Sequence, residues 1–340
     1  MEEVSVIGID LAKRSFQVHG AKADGSVVFR RKLSRGKVLS CLASQPPCTV
    51  AMEACAGAHY WGREIAALGH EVRLVPPIYV KPFVKRNKND AADAEAITEA
   101  AERPTMHFVA VKTEAQQAQA MLFHTRDLLV RQRTQTINAL RGHLAEYGVV
   151  APKGRARIWQ LAAVLEDGDC GLPEAVVELG RLLFGRIEEL DEKIDELDRG
   201  LLARSREDEE TARLMTIPGI GPVTAMAIQA FAPPMESFRR GRDFSAWLGL
   251  VPRQHTTGGK PRLGGISKMG QRDLRRLLVS GAMTVVTHAI RRGEITDPWL
   301  AGMLARKPKK LVAVALANKM ARTVWALAMK KETYRVRTAA

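Results

Sequence analysis

The chain has 340 residues, 46% of them hydrophobic, with 52 Lys and Arg against 37 Asp and Glu, a formal charge of +15. That size and apolar content exclude a lone small module and predict two or three domains, and the charge makes a polyanion the default partner, because each base set on a phosphate releases condensed counterions. A membrane is not expected, since the best apolar run, 311–317, is cut by Asn318, Lys319 and Arg322 and is too short to span a bilayer.

Residues 1 to about 111 alternate β-like runs with helical patterns. Strands are predicted at 4–9, 15–19, 27–30, 48–53, 71–75 and 107–111, with Ala23-Asp24-Gly25-Ser26 turning the second into the third. Helical patterns at 35–44, 59–68 and 90–101 make this an antiparallel meander followed by βα units. That is the order of an RNase H-like fold, assigned to a domain at 1–112. The opening Met-Glu-Glu runs straight into the first strand with no positive n-region, so a cytoplasmic chain is expected.

From Glu114 to Tyr147 apolar residues recur at helical spacing through Met121, Leu128, Ile137, Leu140 and Leu144. Pro152-Lys-Gly154 breaks that pattern, and a second long helix is predicted from about Pro173, with the stripe Leu179, Leu183, Leu190, Ile194, Leu197 and Leu201. A hairpin within one chain and a coiled coil between subunits both fit this helical domain at 113–210. Eleven acids against five bases in 186–210 turn it away from nucleic acid.

The remainder, 211–340, is predicted to be mostly α, with helices at 211–215, 222–231, 271–290 and 311–329. Nine Lys or Arg fall between Arg253 and Arg292 against one acid, Asp273, which makes this the expected phosphate-binding surface. Its named contacts are Arg253, Lys260, Arg262, Lys268, Arg272, Arg275 and Arg276. Cys41, Cys48, Cys55 and Cys170 make no CxxC pair and no Cys-His cluster at zinc spacing, so they read as buried or incidental thiols.

Asp10 ends the apolar strand Val4-Ser5-Val6-Ile7-Gly8-Ile9, and Glu53 ends Thr49-Val50-Ala51-Met52. Two carboxylates at neighbouring strand ends repel unless a cation neutralises them. Asp90 and Asp93 are three apart, hence on one helix face, although an N-cap and a favourable charge at the helix start explain them equally well. The four together suit magnesium, or manganese, held against a phosphodiester.

Ile217-Pro-Gly219-Ile-Gly221-Pro222 reads as a glycine turn opening a helix, where Gly219 and Gly221 let a DNA backbone approach; a plain turn between helices is the competing reading. The stretch 249–270 is a basic glycine-rich loop whose hydroxyls are Thr256, Thr257 and Ser267. An activated hydroxyl there can serve as a nucleophile, or the loop can grip phosphate without covalent chemistry. His255 reads as a base or, preferably, a solvated loop residue, and Ser267 as a fallback hydroxyl that better suits a helix-start cap.

In order along nearly the whole chain, Gly8-Ile-Asp10-Leu-Ala-Lys13, Met52-Glu53-Ala54-Cys55-Ala-Gly, Asn87-Lys-Asn-Asp90-Ala-Ala-Asp93-Ala, Ile217-Pro-Gly-Ile-Gly-Pro-Val-Thr-Ala225, Gly249-Leu-Val-Pro-Arg253, Ile266-Ser-Lys-Met-Gly270 and Leu316-Ala-Asn-Lys-Met-Ala-Arg322 resemble the DEDD insertion-sequence transposases of the IS110 family, IS1111 group, related to Piv/MooV-type recombinases. The resemblance implies a RuvC-like N-terminal domain, a helical coiled-coil segment and a C-terminal transposase domain. It implies a homo-oligomer, dimer or tetramer, that recombines DNA in the nucleoid, guided in characterised cases by a structured non-coding RNA. The family's acids carry over onto Asp10, Glu53, Asp90 and Asp93. Where relatives carry a nucleophilic serine before Gly-Gly-Lys, this chain has Thr256-Thr257-Gly258-Gly259-Lys260. A water-using RuvC-like nuclease and a non-catalytic nucleic-acid-binding protein are the rival readings.

Overall fold

The computed structural model describes residues 4–84, 90–293, 295 and 297–335. The side chains of Asp90, Ala91 and Ala156 lie outside that description, as do all of residues 85–89. The chain divides into two compact units, Met1–Gln117 and Ala118–Ala340.

In the first unit β1 (Val6–Asp10), β2 (Ser15–Ala21), β3 (Val27–Ser34), β4 (Thr49–Glu53) and β5 (Glu71–Val75) form one sheet in the order β3-β2-β1-β4-β5. β1, β2 and β3 are antiparallel neighbours, whereas β4 runs parallel to β1 and β5 parallel to β4. The helices are α1 (Val38–Ala43), α2 (Ala58–Ala67), α3 (Pro77–Val80) and α4 (Asp90–Ala101). Period-2 alternation sorts the strands onto two faces. Ile7, Ile9, Phe16 and Val18 pack with Trp61 and Ile65 of α2 in one core, while Ala51 and Val75 meet Ile97 and Ala100 of α4 in another.

The predicted strand at 107–111 is reduced to a single bridge, Leu74 to Val109. Beyond it the chain is drawn onto α2 instead: the Lys112 N–H donates to His59 Nδ1 and the Lys112 carbonyl accepts from Arg63. The predicted helix at 35–44 begins as a 3-10 turn, Arg35–Lys37, before α1.

The second unit holds most of α5 (Glu114–Ala145), then α6 (Trp159–Glu166), α7 (Glu174–Glu207), α8 (Glu209–Met215), α9 (Pro222–Phe231), α10 (Gly241–Trp247), a hairpin of β6 (Pro252–Gln254) and β7 (Leu263–Ile266), α11 (Arg272–Arg292), α12 (Pro298–Leu304) and α13 (Lys309–Lys330). α5 and α7 pair antiparallel within the chain. Arg126 bridges Asp198 and Arg133 bridges Asp191, so seven residues forward on one helix match seven back on the other. Ile137, Leu140, Leu144, Ile187, Leu190 and Ile194 are buried, but Met121, Leu128 and Leu179 of the two sequence stripes are exposed.

α10 and α12 lack a strong sequence signal and are not among the expected helices. α13 is apolar and long enough to cross a membrane by length and composition alone. In the fold it is the central helix of the C-terminal core, burying Val312, Ala313, Leu316, Ala317, Met320 and Val324 among α8 to α11 residues.

Candidate active site and nucleic-acid surface

Asp10 and Glu53 leave the sheet side by side. Ile9 lies opposite Met52 on the parallel β1–β4 ladder, and each carboxylate is the next residue on its strand. Gly8 is pressed against α4, where any Cβ would collide with Thr98 Oγ1 and the Ala94 carbonyl, and Ala51 belongs to the core under the same helix. Two residues further on, Asp10 and Glu53 therefore face that same side. The glycine lets α4 settle onto β1, which sets Asp93, in the helix's first turn, beside the strand ends.

The electrostatics agree. Burial raises the Glu53 carboxyl above its ordinary range, and the charge of Asp93 raises it further. The Cys55 thiol is raised by burial, then by Glu53 and Asp10. Like charges are thus gathered within electrostatic reach, at a cost that a bound cation would remove. The donors are all carboxylate oxygens, which suits a hard divalent ion. Among the described residues no three His, Cys, Asp or Glu side chains are drawn close enough to cage an ion. The expected fourth ligand, Asp90, begins α4, with its side chain outside the described residues.

In the second unit, Thr256 and Thr257 ride the tip of the β6–β7 hairpin. The tip closes by the Thr257–Lys260 bridge, with Gly258 and Gly259 at positive φ as a tight turn requires. Both strands are solvent-exposed, so Arg253, Lys260 and Arg262 lie on an arm with no core of its own. The His255 ring lies over Gly264 of the opposite strand.

Two backbone crossings fix the arm's base. Gly249 (φ +71°) abuts the Met269 carbonyl and Gly270 (φ +95°) the Trp247 carbonyl, each too tightly for a Cβ. Asn318 of α13 donates to the Ser245 hydroxyl (2.6 Å) and the Leu250 carbonyl (3.0 Å), which gives the 316–322 motif a structural task.

The expected phosphate contacts divide accordingly. Lys260, Arg262, Lys268 and Arg272 are exposed. Arg253 braces the arm through the Ser267 carbonyl, at 3.3 and 3.2 Å. The Arg275 guanidinium is committed to the Leu248 carbonyl at 2.8 Å, and Arg276 to Asp127 at 2.5 Å. Ser267 does not cap α11: Gln271 does, accepting from the Asp273 N–H, while Ser267 Oγ accepts from Met269 within its own turn.

The 217–222 turn joins α8 to α9. Gly219 has φ +88° and packs on α11, whereas a Cβ on Gly221 would meet open space. Beside this turn lies a pocket of about 750 Å³ whose lining includes His288, Arg292, Lys319 and Tyr334. It draws on helices far apart in sequence, so no local pattern announces it.

Strand-end carboxylates in an α/β unit are thus joined in one chain to a helical unit bearing an exposed basic arm. A sequence model described as the "Transposase IS116/IS110/IS902 family" matches residues 211–295, and the DEDD transposase model of IS110 type matches residues 7–149. A probable family 20 transposase of Pseudomonas aeruginosa is 48% identical over 98% of this chain and 99% of its own length. The transposase for insertion sequence element IS1328 of Yersinia enterocolitica is 45% identical, covering 96% and 97%, and that for IS1111A of Coxiella burnetii is 39% identical, covering 98% and 92%. The chain belongs to the IS110 family of transposases.

Proposed function

We propose that the protein cuts and exchanges DNA strands at the ends of its insertion element and at a target, by metal-assisted transfer of a phosphodiester to a protein hydroxyl. The observation that carries this is that Asp10 and Glu53 end neighbouring parallel strands, with Asp93 within electrostatic reach, so that burial and then the Asp93 charge raise the Glu53 carboxyl. The strand order, a meander followed by parallel strands, supports an RNase H-like, RuvC-like domain.

Asp10, Glu53, Asp90 and Asp93 are the residues that would hold magnesium or manganese. When bound, the ion supplies neutralisation of the charge that develops on the phosphate. Thr256 or Thr257 supplies the nucleophile. Its hydroxyl oxygen bonds to phosphorus, the scissile P–O bond breaks, and the hydroxyl proton passes through solvent to the departing oxygen. Lys260, Arg262, Lys268 and Arg272 hold the backbone while this happens, and Gly221 leaves room for it at the α8–α9 turn. A structured guide RNA, a dimeric or tetrameric assembly and a nucleoid location in the cytoplasm complete the proposal and rest on the family resemblance.

The test is recombination with purified protein, element DNA and the transcript of the flanking non-coding region, with and without magnesium, and with mass spectrometry of trapped complexes. A phosphothreonine adduct is expected. Cleavage that persists without any adduct favours the water-using nuclease, and recombination unchanged in Asp10→Ala and Glu53→Ala favours a non-catalytic nucleic-acid-binding protein.

A further inference from the structure

Positive charge is also concentrated outside the arm and the C-terminal helices. Between Leu11 and Val38 there are eight bases, Lys13, Arg14, Lys22, Arg30, Arg31, Lys32, Arg35 and Lys37, and one acid, Asp24. The fold uses some of them. Arg30 pairs with Glu95 of α4 at 2.9 Å, and Arg31 lies over the Phe29 ring. Lys13, Arg14, Lys32, Arg35 and Lys37 are all exposed. Among the described residues none of these five pairs with an acid.

Their placement is not random. Lys32 stands opposite Gln17 on the β2–β3 ladder, and Gln17 opposite Asp10 on β1–β2, so Lys32, Gln17, Asp10 and Glu53 make one row across the sheet, on one face. Successive strands are about 4.8 Å apart, which puts the Lys32 backbone roughly 10 Å from that of Asp10, well within the reach of one nucleic-acid strand. Lys13 and Arg14 lie in the connection from β1 to β2, and Arg35 and Lys37 just beyond the end of β3. The two connections are clasped by the Arg35 N–H donating to the Arg14 carbonyl. All of these bases therefore gather at the sheet end that carries the acids.

An exposed edge strand does carry charge to discourage pairing with other chains. That accounts for bases on β3 itself, but not for the four that lie in the connections beyond the strand ends. We infer that Lys13, Arg14, Lys32, Arg35 and Lys37 form a second DNA-binding surface, in the N-terminal unit, which holds the phosphodiester backbone of the strand leading to the Asp10–Glu53 end of the sheet. The charge is complementary to a phosphodiester backbone. The surface rests on the reading of those carboxylates as a phosphodiester site only for which strand it holds; that it binds DNA stands on charge and position.

The experiment measures affinity of the full chain for a labelled DNA duplex of the element's end by fluorescence anisotropy, in EDTA, from about 0.05 to about 0.2 M salt. Lys13→Gln, Arg14→Gln, Lys32→Gln and Lys37→Gln are combined, leaving Arg35 in place because its guanidinium stacks over Trp61 at 5.1 Å. The slope of log affinity against log salt is expected to flatten by about 0.9 for each phosphate no longer neutralised, or about 2 to 4 in all. Neutralising Arg199, Arg204 and Arg206 on the acidic α7 is expected to leave the slope unchanged, and Lys13→Arg, Lys32→Arg and Lys37→Arg together to retain it. An unchanged slope in the fourfold variant overturns the inference. So does a flattened slope for a matched RNA with none for DNA. If the fourfold variant does not melt cooperatively, Lys13→Gln and Lys32→Gln singly must each flatten the slope by about 0.9, and failure of both overturns it equally. Because binding is read without metal, cleavage that survives Glu53→Gln would sink the active-site reading while leaving this surface standing.

Discussion

Gly281 of α11 and Gly219 of the α8–α9 turn meet backbone to backbone: a Cβ on Gly219 would lie 2.9 Å from the Gly281 carbonyl oxygen, and a Cβ on Gly281 would strike the Gly219 carbonyl. The glycine turn that reads in sequence as a phosphate grip is therefore, at Gly219, a packing joint. Gly281→Ala is expected to destabilise the protein by about 1 to 3 kcal/mol through overpacking, seen as a lower denaturation midpoint. Gly221 has extended backbone and open space around it, so Gly221→Ala should leave the midpoint unchanged. If that turn holds DNA, Gly221→Ala should still weaken DNA binding.

Burial and then the charge of Asp93 raise the Glu53 carboxyl, so without a cation the two acids repel. Glu53→Gln and Asp93→Asn should each lose strand cleavage on the order of 100-fold or more while leaving the metal-free protein as stable as the parent, or slightly more stable. Parallel cleavage and thermal-melt measurements separate this from a structural role, which would lower both.

Thr256 and Thr257 sit on an exposed tip with no packing to restrict a smaller side chain. Serine should therefore substitute at the nucleophilic position with activity kept or raised, whereas valine, matched in shape but lacking the hydroxyl, should abolish the covalent adduct. Whichever of Thr257→Val and Thr256→Val removes the adduct identifies the nucleophile. Loss in neither variant refutes the threonine assignment.

Asp208 caps α8 by accepting from the Thr211 N–H and also accepts from the Gln229 amide of α9. Burial pushes its carboxyl upward, but the donors outweigh that and hold it below its ordinary 3.8. A lowered folded-state value means the contribution is full above that ordinary value and fades as pH falls through the folded one. Asp208→Ala should cost about 1 to 2 kcal/mol near neutral pH. The gap between parent and variant in urea unfolding should shrink as pH falls below 3.8.

Much of the first unit is legible in the sequence because its signals are local. Apolar alternation locates the five strands, and carboxylates at the ends of two of them single out Asp10 and Glu53. The 107–111 run misleads for a definite reason: its apolar pattern suits a strand, yet Arg63 and His59 draw its far end onto α2. The arm's exposed bases could be read from composition. The commitment of Arg275 to Leu248 and of Arg276 to Asp127 could not, since each partner is distant in the chain.

By itself, then, the sequence determined the elements that periodicity and turn chemistry encode, the acidic and basic residue sets, and the family. Tertiary structure alone decided which of those residues lie together. Register across three strands aligns Lys32 with Asp10, and a glycine pressed on α4 brings Asp93 to the strand ends. A pair of glycines, Gly219 and Gly281, makes a helix joint of a turn that reads as a DNA grip. In each case the deciding contact joins residues that are not neighbours in the chain, where steric fit and strand pairing act through space and leave no periodic trace along it.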